Sequence, residues 1–397
     1  MPATLAPNAQ TRRTPTPLIR ARFTLDGSDS LENHLGQTCT KVLAGINQII
    51  PASRLQAVAL GGGYGRGEGG VLRTPSGDQP YNDLEFYVFA AGHPWFNERR
   101  YKNAVHELSE ELTAQAGVEV EFKITSLANL RRSAPSIFYH DLVLGHRWLS
   151  GSDDLLRDCE HHRNAALIPP SEATRLMMNR CSGLLLAREK LEHEPFTEED
   201  ADFVFRNMSK AQLAMGDAVL TVFGQYHWSC QERHSRLRCL PPPTNFLWMD
   251  AVRNHHAAGV KFKLHPNRST HAREALQLML HDLSKLALNL WLWLESLRLR
   301  YRFETVRDYG LSRINKWPGT SLWRNWLTNV KLFGPKAMVD PRSRRHPRNR
   351  ILNALTILLW ADPRSSDELE PIIRRELWTS GAIPCVQAYQ QRWRHVG

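Results

Sequence analysis

Apolar and polar positions change their period along the chain, and the change divides it. From Asp29 to Ile50, Leu31, Leu35, Val42, Ile46 and Ile49 recur at helical spacing and predict one amphipathic helix. Leu55-Gln-Ala-Val-Ala-Leu60 is short, apolar and stopped by three glycines, as a buried strand is. A Gly-rich turn and a polar loop, Thr74 to Pro80, lead to a second strand over Asp83–Phe89. Trp95 to Ala116 reads as a helix, and Val118 to Ile124 alternates as a half-buried strand with Glu119, Glu121 and Lys123 on one face. After Pro169-Pro170 the period is helical throughout, including a leucine-rich stretch at Ala275–Leu299 and another at Asn353–Trp360. The expected fold class is therefore α/β (α+β), a unit with a small mixed sheet followed by an all-α region. Its expected divisions are a flexible tail at 1–25, an α/β domain at 26–167 and a helical domain at 168–397.

Composition narrows the class. At 397 residues, 42% hydrophobic and 23% charged, the chain is an ordinary globular protein and no disordered or collagen-like one. Its most apolar stretch, Leu286–Leu294, is too short to span a bilayer, and the Pro- and Arg-containing N-terminus lacks the apolar core of a secretory signal. A cytoplasmic protein without a membrane partner is expected. The six cysteines have no C-x-x-C spacing and read as reduced thiols in or near the core. Ten of the twelve tryptophans lie beyond residue 170 and read as helix-packing residues. The net charge of +11 is uneven: residues 251–350 hold 20 Lys and Arg against 6 Asp and Glu. An anionic partner fits such an excess, and so does a solvated basic face.

The chemistry concentrates in the first unit. In Leu60-Gly-Gly-Gly-Tyr-Gly-Arg-Gly-Glu68, glycines let a phosphate approach the backbone closely. The string is neither a P-loop nor the dinucleotide fingerprint. Asp83 and Glu85, two apart on a strand, share a face. Like charges so placed repel, and a divalent cation with oxygen ligands resolves the conflict. The neighbouring strand offers a third acid, Glu121 rather than Glu119.

The ordered set Gly62-Gly-Tyr-Gly-Arg-Gly-Glu68, Asp83-Leu-Glu85 and Val120-Glu-Phe-Lys-Ile124 resembles the DNA polymerase β-type nucleotidyltransferase superfamily. The loop is most similar to that of the nitrogen-regulatory adenylyl- and uridylyltransferases. The resemblance covers about residues 30–150. It implies a nucleotidyltransferase domain that transfers a nucleoside monophosphate from a nucleoside triphosphate to an acceptor hydroxyl, releasing pyrophosphate. It further implies Gly62 and Gly63 at the nucleotide phosphates and Arg66 bracing that loop or a phosphate. Asp83, Glu85 and Glu121 would be the catalytic, Mg²⁺-binding acids of a two-ion site. Two departures stand out: Glu85 where Asp is commoner, and a longer link from Arg66 to Asp83.

Elsewhere, His140 and Asp141 are candidates for the acceptor side or for a structural role. Lys210, on a helix among small and apolar residues, either snorkels to water or points at a triphosphate. The adjacent pairs His161-His162 and His255-His256 cannot share one helix face and are set aside as metal sites. A small molecule is the first expectation for the acceptor, a protein side chain the second and an RNA end the third. The rivals are a nucleotide-binding member without turnover and an RNA-binding protein. Nucleic acid is not favoured, because Arg342 to Arg350 is one Pro-bounded loop.

Overall fold

A computed structural model describes residues 22–243, 246–362, 366–379 and 381–396. The chain is mixed α/β, a small sheet accompanied by many helices. Of the expected tail, residues 1–21 lie outside the described residues. Phe23 and Thr24, by contrast, are buried, and their N–H groups donate to the carboxylate of Glu32.

The first region runs α1 (Asp29–Ile49), β1 (Leu55–Leu60), a short α2 (Gly62–Arg66), a hairpin of β2 (Val71–Thr74) and β3 (Gly77–Pro80), and β4 (Leu84–Ala90). It continues with α3 (Pro94–Ala116), β5 (Val120–Thr125), α4 (Leu127–Arg132), α5 (Ile137–Leu144) and β6 (Arg147–Ser150). Four strands make one mixed sheet in the order β5-β4-β1-β6, with β4 and β5 parallel and the other pairs antiparallel. Alternation decides which residues face which way. Val58, Leu60, Phe86 and Val88 join Leu35, Val42 and Ile46 of α1 and Tyr101 and Val105 of α3 in one core. Ala57, Ala59, Tyr87 and Phe89 face the opposite way, against Leu127, Leu130, Leu142 and Val143. Pro94 opens α3 where its missing N–H costs nothing, and Gly117, at φ +72°, closes it.

Three local expectations need correction. The Gly-rich turn is a helical turn, α2. The polar loop before β4 contains the β2–β3 hairpin, whose Pro75, Pro80 and Gly77 hide it from a strand pattern. A fourth sheet strand, β6, pairs with β1 although its residues are all half-buried and show no alternation.

α6 (Glu160–Arg163) packs on α5 and ends the first region; the second comprises α7 (Ser171–Glu192), α8 (Glu198–Val222), α9 (Cys230–Cys239), α10 (Met249–Leu264) and α11 (Arg273–Leu299). Then follow α12 (Val306–Leu311), α13 (Leu322–Phe333), α14 (Arg348–Trp360), α15 (Ser366–Leu377) and α16 (Cys385–Trp393). A capping box between Thr197 and Asp200 starts α8. Met178, Leu184, Val204, Met215, Leu283, Leu290 and Trp291 belong to a single core that extends to Tyr389 near the C-terminus. Not every cysteine or tryptophan is inside: Cys239 and Trp323 are exposed. No described helix is long and apolar enough to cross a membrane.

Candidate functional site

The glycine loop is held rigid by its own tyrosine. Tyr64, fully buried, donates its hydroxyl to the carbonyl of Gly70 (2.8 Å) and accepts from the N–H of Tyr81 (2.9 Å), two residues before Asp83. Gly62 has φ +60°, and a Cβ there would lie 3.0 Å from Oε1 of Glu85. Gly62 and Gly63 form the first turn of α2, so the loop backbone and the Glu85 carboxylate meet without an intervening side chain.

The parallel register sets Glu85 beside Glu121 and Tyr87 beside Lys123. Asp83 immediately precedes β4, so all three acids lie on the sheet face that carries Tyr87. Lys123 extends between them, its Nζ 3.4 Å from Glu85 Oε2 and 3.7 Å from Glu121 Oε2, while the Tyr87 hydroxyl donates to Glu85 (2.8 Å). Burial works against the charge on Glu85, but Lys123, the Tyr87 hydroxyl and Arg66 outweigh it and hold the carboxyl below the usual glutamate range. Glu121 moves the other way. Burial raises its pKa, and repulsion from Asp83, Glu119 and Glu85 adds to that against the pull of Lys123. A set of carboxylate oxygens suits Mg²⁺ in its chemistry, and the cradle at Gly62 leaves room beside Glu85. Among the described residues, however, no three His, Cys, Asp or Glu side chains are gathered closely enough to hold an ion. Lys123 supplies the countercharge instead.

Opposite the acids stands a group of cations, of which the sequence singled out Lys210 alone. Arg206 and Lys210 project from α8 one turn apart, Arg180 from α7 and Lys263 from α10. None of the four makes a hydrogen bond or ion pair among the described residues. Lys210 is open to solvent within a crowded cleft. Loss of hydration there, with Arg180, Arg206 and Lys263 nearby, brings its pKa down to about 8, while Asp83 pulls it back up. Lys263 is also shifted down by burial and by Arg66. Tyr81 meets Phe262 edge to face at 5.9 Å, and a Cβ on Gly70 would lie 3.0 Å from the Lys263 carbonyl. The helical region thus closes directly over the approach to Asp83.

Arg66 and Asp141 are placed behind this cleft. The Arg66 guanidinium is buried and pairs with Asp141 at 2.9 Å. Asp141 also accepts from the hydroxyl of Tyr226 (3.2 Å), and that hydroxyl accepts from Arg233 (3.2 Å). Arg233 pairs with Asp217 at 2.6 Å, and Asp217 meets His256 at 3.1 Å. Through this pair Arg66, the last residue of α2, is tied to α5. Glu68, the last residue of the glycine string, accepts from the Ser229 hydroxyl (2.5 Å) and the Cys230 N–H (2.9 Å), tying the loop to the start of α9. His140 is buried, its Nδ1 2.9 Å from the carbonyl of His162.

Comparison with protein-family models, with curated proteins and with solved structures finds no match for this chain.

Proposed function

We propose that the protein is a Mg²⁺-dependent nucleotidyltransferase that moves a nucleoside monophosphate from a nucleoside triphosphate to an acceptor hydroxyl. The observation that carries this reading is the juxtaposition at Gly62. There Glu85, in register with Glu121 on the next strand, lies against a backbone with no Cβ to keep a phosphate away. The order of the glycine loop, the acid pair and the later single acid, set on a mixed sheet, supports the likeness to the DNA polymerase β-type superfamily.

On this reading Gly62 and Gly63 admit the phosphates, and Arg180, Arg206, Lys210 and Lys263 balance the triphosphate charge from across the cleft. Held by Asp83, Glu85 and Glu121, Mg²⁺ would neutralise phosphate oxygens and sharpen the nucleophile. Lys123 releases at least one of its two glutamates to make that possible. Glu121 takes the acceptor's proton as a new bond forms from the acceptor oxygen to the α-phosphorus. The bond from that phosphorus to the bridging oxygen breaks, and pyrophosphate leaves toward the four cations.

The test is thermal. Each of ATP, GTP, CTP and UTP is added with and without Mg²⁺, and at least one combination raises Tm more than nucleotide or Mg²⁺ alone. That shift disappears in Asp83→Ala. If none of the four shifts Tm, the reading fails. A nucleotide-binding protein without turnover is the second reading, and Lys123 between the two glutamates favours it. The same mixtures, assayed for pyrophosphate with candidate hydroxyl acceptors, separate the two.

A further inference from the structure

Helix α13 faces the wrong way for a core helix. Two of its three buried positions are polar, Phe333 being the third: Asn325 donates to the carbonyl of Arg344 (3.1 Å), and Asn329 donates to those of Ser343 (3.0 Å) and Arg345 (2.8 Å). Both asparagines are buried. Leu322, Trp323 and Leu327 meanwhile stand exposed, with Trp323 64% accessible and stacked on Trp326 at 5.2 Å. The turn after the helix adds Met338 and Val339, the latter 86% accessible. Trp326 Nε1 donates to the carbonyl of Met338 (3.3 Å), which joins helix and turn into one patch and leaves that ring no unpaired donor. Because the asparagine bonds fix the helix from behind, the patch is formed before anything covers it. Contiguous apolar surface of this kind marks an interaction site.

Charge selects the occupant. Between residues 309 and 339 there is no Asp or Glu, whereas Arg313, Lys316, Arg324, Lys331 and Lys336 all fall there. Lys316 is buried; Arg324, Lys331 and Lys336 are exposed beside the patch. A second copy of the chain would bring these cations against their own counterparts. A surface that is anionic outside and apolar beneath accepts both the rim and the centre, and tryptophan prefers that boundary. We propose that α13 and the turn at Met338–Val339 dock this protein on an anionic lipid bilayer, lying on it rather than crossing it.

Flotation of the full chain tests this with phosphatidylcholine vesicles with and without 30% phosphatidylserine (about 30%, the anionic range where each nearby Lys or Arg adds measurably to binding). The chain floats with the anionic vesicles and not with the neutral ones, and raising the salt releases it. Trp323→Glu with Leu327→Glu, both at exposed positions, lowers partitioning by about tenfold or more with unchanged circular dichroism. Lys331→Glu with Lys336→Glu, which leaves the apolar patch intact, weakens it as well. No flotation of the wild type, or flotation undiminished in both variants, overturns the proposal. So does binding to polyglutamate in place of vesicles, which would assign the patch to an acidic polypeptide. A wild-type dimer in light scattering that becomes monomeric in Trp323→Glu/Leu327→Glu, with no flotation, would assign it to a second copy.

Discussion

Two groups of cations in the helical region are alike in composition and opposite in state. In the segment from Asp340 to Arg350, Arg342 and Arg350 both pair with Asp340, at 2.9 and 2.5 Å. Arg342 also reaches Glu376, and Arg348 donates to the carbonyl of Val396. This is the densest basic run in the sequence, and much of its charge is spent inside the protein. Arg180, Arg206, Lys210 and Lys263 are spread over 84 positions and three helices, yet they converge unpaired on the cleft before Asp83. A run of like charge in sequence says little about where charge is available. Cations crowded together without partners repel one another and lose hydration for no return, so their convergence is the more informative feature.

The sharpest way to break the contrast is to remove the acid from the paired group. Asp340→Ala leaves the buried Arg350 without its carboxylate, while Arg342 keeps Glu376, and should lower unfolding stability by about 3 kcal/mol in urea titrations. Hydrogen bonds from Arg342 and Arg350 overcome the burial of Asp340 and bring its pKa down to about 2. A carboxyl lowered in the folded state contributes stability above its unfolded pKa and loses it as pH falls. Wild type should therefore lose stability between about pH 4 and pH 2. Asp340→Asn lacks that component.

On the open side, the acids carry the largest effect. Asp83→Ala and Glu121→Ala should each reduce pyrophosphate release by a factor on the order of 10²–10³ or more. Their melting temperatures should stay at or slightly above wild type, since each removal relieves repulsion within the acid group. Glu85→Ala differs: it also releases Lys123 and Tyr87, so its melting temperature should fall while activity is lost. Near wild-type turnover in any of the three would remove that residue from the site.

Arg206→Ala and Lys263→Ala should weaken triphosphate binding by about tenfold each, as charge-assisted contacts of ordinary strength do. Without nucleotide, stability should hold or rise, the reverse of the Asp340 result. A loss of stability comparable to that of Asp340→Ala would erase the distinction between the two groups.

The smallest effect is a pH dependence. With its pKa near 8, Lys210 loses its proton in the weakly alkaline range, so triphosphate affinity should decline several-fold (~3-fold or more) from pH 7 to 9. Lys210→Arg keeps its charge throughout and should flatten that decline, as isothermal titration at three pH values would show. The folding term has the opposite sign. The unfolded lysine holds its proton to higher pH than the folded one, so this residue's contribution to stability rises between about pH 8 and 10.5.

The acids and the glycine loop could be read from the sequence because their signals are local. Alternation in Val118–Ile124 puts Glu121 and Lys123 on one face, and a two-residue spacing does the same for Asp83 and Glu85. Two features limited that reading. Lys123 was visible, but nothing in a single strand reveals that it falls between glutamates from two strands. Arg180, Arg206 and Lys263 come together only through helix packing. Their one local trace is the four-residue spacing of Arg206 and Lys210, which places both on one face of α8. The β6 strand escaped for a related reason: four half-buried residues carry no pattern, and their role is set by the open edge of β1. Glu68 belongs to the glycine string in sequence, but its partners lie some 160 residues away on Ser229 and Cys230.

On the proposed function, the chain of contacts from Arg66 through Asp141 and Tyr226 to Arg233 also bears on how nucleotide would enter and pyrophosphate leave. It acts as a latch behind the acids, joining the end of α2, through α5, to the helices of the second region. Swinging the two regions apart as rigid bodies would take the Tyr226 hydroxyl from Asp141 and leave the buried Glu68 carboxylate without Ser229 and Cys230, a motion far slower than rotation of exposed side chains. On that same reading, traffic would be governed by the front edge, where the exposed Lys210 and Arg206 can change rotamer without disturbing the latch.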